Sequence, residues 1–523
     1  MAQRLFVISD LHLGGDTTNF QMCSLAGQDR LAEFFRWTAM QHSRDCPVHV
    51  VLNGDIVDFL AEKDASGFAA FSDEESARDK LQRMLEEPKI HACFTAMQQM
   101  VQCGATLTLL LGNHDLELCL PAVRRELHSL LGHDRVHFLM DNQALTIGPV
   151  LIEHGNRYDP WNSVDHDGLR AVRSARSRNE KAPQFRPPPG SELVVRVMND
   201  IKRTHNFIDL LKPENQAMLP ILAVLASPEQ LRKLHILGKA ARSYLEVQFR
   251  RLCGVIMAGR ANGNMAAIDG IVDHVDYDYL ISKLDDRIDE HGTPYSQLVE
   301  DTSPMMQARV VQDAMVETER LLDGLNEMAG VTGDMSAWNS MLGGGHVART
   351  FLDSDLDNKI DRLRAALCHF YSLKDLSVNC ENDTYLTPAT ASIRNGFQIV
   401  IYGHTHLLKK VEIDSHKGGL YLNTGTWADL ILVPPTVVGN DATAGRDELL
   451  RLARELGLIP GVQSSPNRRQ LPSFAQVDFA DDGRCEADLW LFGGPQLSRY
   501  PVEHTDLWDL AEQFEMVAKA GQK

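Results

Sequence analysis

The chain has 523 residues, 44% of them hydrophobic, and its 71 acidic against 52 basic residues leave a formal net charge of −19. That length holds more than one folded unit with ample core, and the acidic balance argues against wholesale coating of a nucleic-acid backbone, which needs Lys and Arg to displace counterions. Nine cysteines scattered singly, with no Cys-x-x-Cys pair, give no disulfide framework or zinc finger, and the apolar run 218–226 is interrupted by Pro220 and far short of the roughly 20 residues a membrane span needs.

Taken in chain order, Phe6-Val7-Ile8 leads into Asp10-Leu11-His12, and Val50-Val51-Leu52 into Gly54-Asp55-Ile56-Val57-Asp58. Leu109-Leu110-Leu111 leads into Gly112-Asn113-His114-Asp115, and Val150-Leu151-Ile152 into His154-Gly155-Asn156. Far downstream, Ile399-Val400-Ile401 leads into Gly403-His404-Thr405-His406, and a sixth polar cluster, Asn423-Thr424-Gly425-Thr426, follows. Short leucine-rich or β-branched runs bounded by Gly and Asn read as buried strands. Polar residues just past such strands sit where open α/β sheets place ligands, so five strands are expected to aim their C-terminal loops at one crevice. Carboxylate, imidazole and a single amide oxygen form a mixed shell suited to manganese, iron, zinc or similar divalent ions, with no thiolate to select a soft metal.

His154 and His404 stand 250 residues apart, too far for a structureless loop, so the interval is expected to hold a folded and mainly helical insertion. Ser227-Pro228-Glu229-Gln230 reads as an N-cap, a first-turn proline and a capping-box Gln ahead of Leu231, Leu234, Leu237 and Ala241 at helical spacing. The same period continues over 305–328 and 352–373, and the glycine-rich 330–345 reads as a connection. Between Arg170 and Arg203 stand nine basic residues against three acidic. Either Arg170, Arg173, Arg176 and Arg178 attract a polyanionic substrate, or the segment is a solvated loop, a reading that the Pro187-Pro188-Pro189-Gly190 break favours. Asp353, Asp355 and Asp357 suggest a calcium loop, but Asn358 and Arg364 stand where it needs Gly and a bidentate acid. Strands are expected at 411–414 and 420–423, a helix at 441–456, a hairpin of 474–479 with 487–492 around Asp481-Asp482-Gly483, and a helical tail from Asp506.

In order and spacing, Asp10-x-His12, Gly54-Asp55-x-x-Asp58, Gly112-Asn113-His114-Asp115, His154 and Gly403-His404-x-His406 resemble the calcineurin-like metallophosphoesterase superfamily, over about 1–165 and 395–495. The resemblance implies an α/β fold, a four-layer αββα sandwich, here with a large mainly α-helical insertion. It implies two divalent metal ions, Mn2+ first in expectation with Fe or Zn as alternatives. Asp10, His12, Asp55 and His406 would hold one ion and Asp55, Asn113, His154 and His404 the other. A hydroxide shared by the ions would attack the phosphate ester, His114 would protonate the leaving group as general acid, and Asp58 would orient His114.

The expected layout is a first core part at 1–165, a helical insertion or cap at 166–394, a second core part at 395–495 and a helical tail at 496–523. No secretory signal is visible ahead of the strand carrying Asp10, and a cytoplasmic enzyme is expected. The resemblance implies a phosphate-ester substrate, expected to be a nucleotide or another phosphodiester or pyrophosphate. A DNA nuclease of the double-strand-break repair type and a non-catalytic scaffold are the alternatives. The opening Asp10-Leu11-His12-Leu13-Gly14 also looks like the branch that cleaves UDP-diacylglucosamine, which commonly has Arg where this chain has His114.

Overall fold

Strands form where the sequence is apolar on both faces. The computed structural model describes residues 3–15, 20–132, 134–159, 161–203, 205–212, 373–413, 418–456, 468–482, 484–503 and 506–521, with scattered positions between 360 and 368. In chain order its elements are β1 (Gln3–Ile8), α1 (Leu25–Gln41), β2 (Val48–Asn53), β3 (Lys63–Asp64), β4 (Gly67–Phe68), α2 (Glu74–Glu86), α3 (Pro88–Gln102), β5 (Thr106–Leu110), α4 (Pro121–Leu131), β6 (Val136–Leu139), β7 (Leu145–Ile147) and β8 (Val150–Ile152). There follow α5 (His166–Ser177), α6 (Pro189–Leu193), α7 (Asn199–Lys202), β9 (Leu211–Lys212), α8 (Asp383–Arg394), β10 (Ile399–Tyr402), β11 (Leu408–Ile413), β12 (Gly419–Thr424), β13 (Ile431–Leu432), α9 (Ala442–Glu455), β14 (Ser473–Phe479), β15 (Cys485–Leu491), β16 (Tyr500–Pro501) and α10 (Leu507–Gly521).

Two sheets carry the fold, one ordered β16-β15-β14-β1-β2-β5-β6 and the other β11-β12-β10-β8-β7. β1, β2, β5 and β6 run parallel, as do β8, β10 and β12, while β14 joins β1 and β11 joins β12 antiparallel. Alternation along each strand sorts the core into layers. Phe6 and Ile8 of β1 and Val50 and Leu52 of β2 pack with α1, α2, α3 and α4 in one apolar cluster, whereas Val400 and Tyr402 of β10 pack with Tyr385, Ala389 and Ile393 of α8 in another. The intervening residues, among them Leu5, Val7, Val51, Val150, Ile152, Ile399 and Ile401, are fully or nearly fully buried and point the other way, into the space between the sheets. That is the helix–sheet–sheet–helix layering expected from the sequence.

Helices start where the sequence supplies caps. Ser24 accepts from Gly27 N at the head of α1, and Asp73 accepts from Glu75 N and Ser76 N at the head of α2, which also carries Glu74 and Glu75 in its first turn. α3 and α4 open on Pro88 and Pro121, whose missing N–H costs nothing there. The strands expected at 411–414 and 420–423, the hairpin and the tail helix appear as β11, β12, β14 with β15, and α10, and the helix expected at 441–456 appears as α9.

The chain divides into two compact units: Met1–Asn215 with Ser372–Pro435 and Leu452–Lys523, and Gln216–Tyr371 with Thr436–Arg451. The unit with both sheets thus runs on past residue 165. Leu169, Val172 and Ala175 of α5 are buried, and the first two join the core cluster of the first sheet. This stretch is therefore a docked helix rather than a solvated loop, because an apolar stripe at helical spacing finds a core to cover. In the second unit Arg364 donates to Gly439 O (2.8 Å) and Arg446 pairs with Asp361 (2.7 Å). The helices expected at 227–241 and 305–328, the connection at 330–345 and the triplet Asp353, Asp355, Asp357 lie outside the described residues.

Phe34 sits at the centre of the first core, with ring centroids of Trp427 at 5.1 Å, Phe474 at 5.3 Å, Phe492 at 5.4 Å, Phe35 at 5.8 Å and Trp37 at 5.9 Å. Phe34→Ala is expected to destabilise the protein by about 3–5 kcal/mol. Met40→Ala on the same helix, at a side chain 69% exposed, should cost under about 0.5 kcal/mol. Urea unfolding of the two variants should separate them, and equal midpoints would contradict this placement of the core.

Candidate metal centre

Five of the six polar clusters of the sequence sit just past a strand, and the chain turns sharply there. Asp10 (φ 54°), His12 (φ 44°), Asp55 (φ 50°), His404 (φ 71°) and His406 (φ 61°) all take the left-handed backbone conformation, which costs non-glycine residues of order 1–3 kcal/mol each and persists only where the surroundings enforce it. Backbone bonds do so here. Asp10 N donates to Gly54 O (3.1 Å), Leu11 N and His12 N donate to Asp55 O (2.9 and 3.0 Å), and Asp58 N donates to Leu13 O (2.9 Å). The turns after β1 and β2 are thereby laced together.

Two glycines allow the close approach of the remaining turns. A Cβ on Gly112 would lie 1.9 Å from Asp55 Oδ1, and one on Gly54, itself at φ 82°, would lie 2.5 Å from His154 Nδ1. The glycines that precede Asn113 and Asp55 are therefore demanded by the crowding of carboxylate and imidazole around one point.

Three groups of side chains have atoms within 4.8 Å of one another that could hold an ion: Asp10, His12, Asp55 and His406; Asp55, His154 and His404; and His12, Asp58 and His114. The sequence-derived carboxylates and imidazoles are thus brought together, and Asp55 belongs to two of the groups. His12 Nε2 and His406 Nε2 face each other at 2.9 Å, and His406 Nε2 lies 3.3 Å from Asp10 Oδ1. His154 Nε2 lies 3.3 Å from Asp55 Oδ2. Asn113 keeps its Oδ1 buried without a hydrogen bond, as do Asp10 Oδ1 and His154 Nε2. Buried lone pairs left unsatisfied cost free energy unless something meets them, and these atoms are of the oxygen and nitrogen kinds that divalent cations take. The residues fit divalent cations.

Tautomers and orientations are set from outside. His154 Nδ1 lies 2.6 Å from Asn53 O, so Nδ1 carries the donated proton and Nε2 faces Asp55. Asp55 Oδ1 accepts from His114 N (2.8 Å), and Asp10 Oδ2 accepts from His404 N (3.0 Å). Asp115 grips both flanking turns, Oδ1 accepting from Gly112 N and Oδ2 from Ile56 N, each at 2.7 Å. The sixth sequence cluster contributes none of these three groups. It braces them: Thr426 Oγ1 donates to Asp10 O (2.7 Å), Thr424 Oγ1 lies 2.6 Å from Ser9 Oγ, and Asn423 Nδ2 donates to Gly403 O (2.8 Å).

Burial and charge pull the titrating groups in opposite directions. For Asp55, burial acts to raise the carboxyl, but His154, His114 and His12 hold it well below its ordinary value. Asp58 follows the same pattern under His114 and His12. Burial acts to depress His114, but Asp58, with Oδ1 3.2 Å from His114 Nδ1, and Asp55 push the ring up to about 10. His154 rises to about 9 against the same burial, driven by Asp55 and Asp10. His406 goes the other way, to about 4, because burial and the Lys212 cation outweigh Asp10. Burial and the Asp55 charge raise Asp115 to about 8. Cations bound among these groups would displace the imidazole protons, so loading is linked to proton release.

Arg170, Arg173, Arg176 and Arg178 do not belong to the cluster. They lie on or just beyond α5, and Arg170 pairs with Asp167, Arg173 with Asp141 (2.7 Å) and Arg178 with Glu180 (2.8 Å). Three of the four arginines thus meet a counter-charge, that of Arg173 supplied from outside the helix. Sequence reasoning missed Asp159 and Asn162: Asp159 Oδ2 lies 3.1 Å from His404 Nε2, and Asn162 Oδ1 accepts from Asn113 Nδ2 (3.3 Å). Their only sequence signal is an Asp-x-x-Asn spacing soon after His154.

The crowding at Gly112 yields a test. Gly112→Ala should fold yet bind less Mn2+ than wild type, because the added methyl group displaces the Asp55 carboxylate. Atomic-emission analysis of metal bound per chain measures it, and an unchanged stoichiometry and affinity would show that the turn has room to spare.

Residues 3–202 match the family model for calcineurin-like phosphoesterases. No curated protein matches the chain. The matched stretch holds Asp10 to His154 and α5, α6 and α7, with His404 and His406 beyond it. No helix among the described residues is long and apolar enough to cross a membrane. The match, the two-sheet architecture and the buried His/Asp cluster support a metal-dependent phosphoesterase, and over residues 3–202 the chain is similar to the calcineurin-like phosphoesterases.

Proposed function

We propose that the chain hydrolyses a phosphate ester, a nucleotide or another phosphodiester or pyrophosphate, at a centre of two divalent ions, Mn2+ first among them. The observation that carries this reading is the double membership of Asp55, whose carboxylate reaches the group of Asp10, His12 and His406 and also that of His154 and His404. In the proposed assignment Asp10, His12, Asp55 and His406 hold one ion and Asp55, Asn113, His154 and His404 the other. When bound, the ions supply Lewis acidity at the phosphoryl oxygens and an acidified water for in-line attack.

The protein's own groups do the rest. His114 is partly buried beside Asp58, 3.2 Å away, and its ring packs edge-on to His12 at 4.8 Å. Asp58 is held in turn, its Oδ1 also accepting from Leu60 N and Ala61 N (3.1 and 3.2 Å). A carboxylate so fixed keeps the imidazole protonated and oriented, and an imidazolium at this place can give its proton to the departing oxygen as the ester bond breaks. The interval 166–394 is proposed to contribute selectivity rather than ions' ligands, since every proposed ligand lies outside it. Nothing in the basic helix favours a nuclease, as three of its four arginines already face carboxylates.

Two variants test the scheme. Asp55→Asn should lower Mn2+ content at both positions and abolish turnover with little change in unfolding midpoint; full activity in this variant, or after exhaustive chelation, would sink the two-ion reading. His114→Ala should slow hydrolysis of esters of weakly acidic alcohols by about 10²–10⁴-fold, and that of a nitrophenyl ester, whose leaving group needs little protonation, by less. Steady-state rates on the two ester types compare them. An equal loss on both would assign His114 to charge stabilisation instead of proton transfer.

A further inference from the structure

Asn113 follows a strand of the first sheet and His404 a strand of the second, yet one short loop hydrogen-bonds to both. Asp159 Oδ2 lies 3.1 Å from His404 Nε2 and accepts from Asn162 Nδ2 at 2.8 Å, and Asn162 Oδ1 accepts from Asn113 Nδ2 at 3.3 Å. Each bond commits one atom and frees another. A ring nitrogen facing a carboxylate carries the proton, which leaves Nδ1 of His404 bare. An amide whose nitrogen is engaged turns its oxygen the other way, and Asn113 Oδ1 is the buried atom found without a hydrogen bond.

The loop is itself held. Asp159 Oδ1 accepts from Trp161 N (2.9 Å), Asn162 N donates to Asp159 O (3.0 Å), and Asn156 Nδ2 donates to Asn162 O (2.9 Å). Behind it stands the residue that ends the triple-proline break. Gly190 N donates to Trp161 O (2.8 Å), and a Cβ on Gly190 would lie 2.3 Å from Asn162 Oδ1. The next residue, Ser191, is buried and donates through Oγ to Asn113 O (3.4 Å). A stretch that reads in sequence as a loop break therefore backs the centre.

We propose that Asp159 and Asn162 are positioning residues for one half of the centre: Asp159 presents His404 through Nδ1, Asn162 presents Asn113 through its oxygen, and Gly190 keeps the space this arrangement needs. The inference rests on the two-ion reading above. A loop that served stability alone would not distinguish between the two ions.

The test is calorimetric titration of metal-stripped full-length protein with Mn2+, with unfolding midpoints recorded alongside. Outer partners of ligands typically carry about 10–100-fold in metal affinity, so Asp159→Ala should weaken one of two binding events by about that factor and leave the other as in wild type. Asn162→Ala should weaken the same event, and so should Gly190→Ala, although it removes no polar group. In a His12→Ala background, where the other event is already weakened, Asp159→Ala should leave no tight site. Two events of wild-type affinity in Asp159→Ala, or equal weakening of both, would overturn the inference while the two-ion reading stood. Fewer than two events in wild type would overturn that reading and the inference with it. Should Asp159→Ala fail to fold, Asn162→Ala and Gly190→Ala decide the matter on the same terms.

Discussion

The Asp55 carboxylate is the point on which the rest of the centre converges. It stands in a left-handed turn at the end of β2, its main-chain oxygen takes the N–H groups of Leu11 and His12, and its side chain takes that of His114. The first two bonds tie the end of β1 to β2, and the third ties the end of β5. Gly112 is glycine because this carboxylate occupies the place of its side chain, and the neighbouring Gly54 is glycine because the His154 ring does so. Were the Asp55 side chain removed, the turn after β5 would lose the acceptor of His114 N along with a proposed ligand, while the turn after β1 would keep its bonds to the main-chain oxygen. This is why backbone strain concentrates here: several hydrogen bonds jointly hold conformations that none would hold alone.

Around that anchor the electrostatics are arranged by burial as much as by pairing. Four carboxylates, Asp10, Asp55, Asp58 and Asp115, lie in the same buried region, and like charges so confined must be offset by protons or cations. The imidazoles of His114 and His154 take up the first role, which is what pushes them upward. Asp115 is the carboxyl pushed up instead, by burial first and then by Asp55 beside it, while its own partners are neutral N–H groups. A divalent cation held by Asp10, Asp55 and the ring nitrogens would offset the same charge with no proton, so protons and cations would compete for one set of lone pairs.

The helical segment that follows His154 has two distinct parts. α5 is basic, but its arginines are drawn to Asp167, Asp141 and Glu180 and its apolar face is spent on the core of the first sheet. The next part, from the triple proline to α7, turns back onto the centre: Ser191 reaches Asn113, and Asn199 Nδ2 donates to Leu60 O (2.8 Å), in the turn that Asp58 caps. Charge alone would have singled out the first part, whereas hydrogen bonding singles out the second.

The sequence alone placed the strands of the crevice and the approach of Asp10, His12, Asp55, His154, His404 and His406 to one another, and the resemblance its motifs carry implied the layered α/β fold. The reason is local: an apolar run followed by a polar cluster fixes where a strand ends and which residues stand at its tip. The pairing of Asp58 with His114 was legible too, because both belong to motifs of known order. Only the tertiary structure decided what braces that set. Asp159, Asn162, Gly190 and the Asn423–Thr426 cluster act through contacts between residues far apart in the chain, and neither composition nor periodicity encodes which distant amide an Asp or Asn will meet. The same holds for the arginines of α5, whose count is written in the sequence but whose neutralisation by Asp141 exists only once the helix has docked.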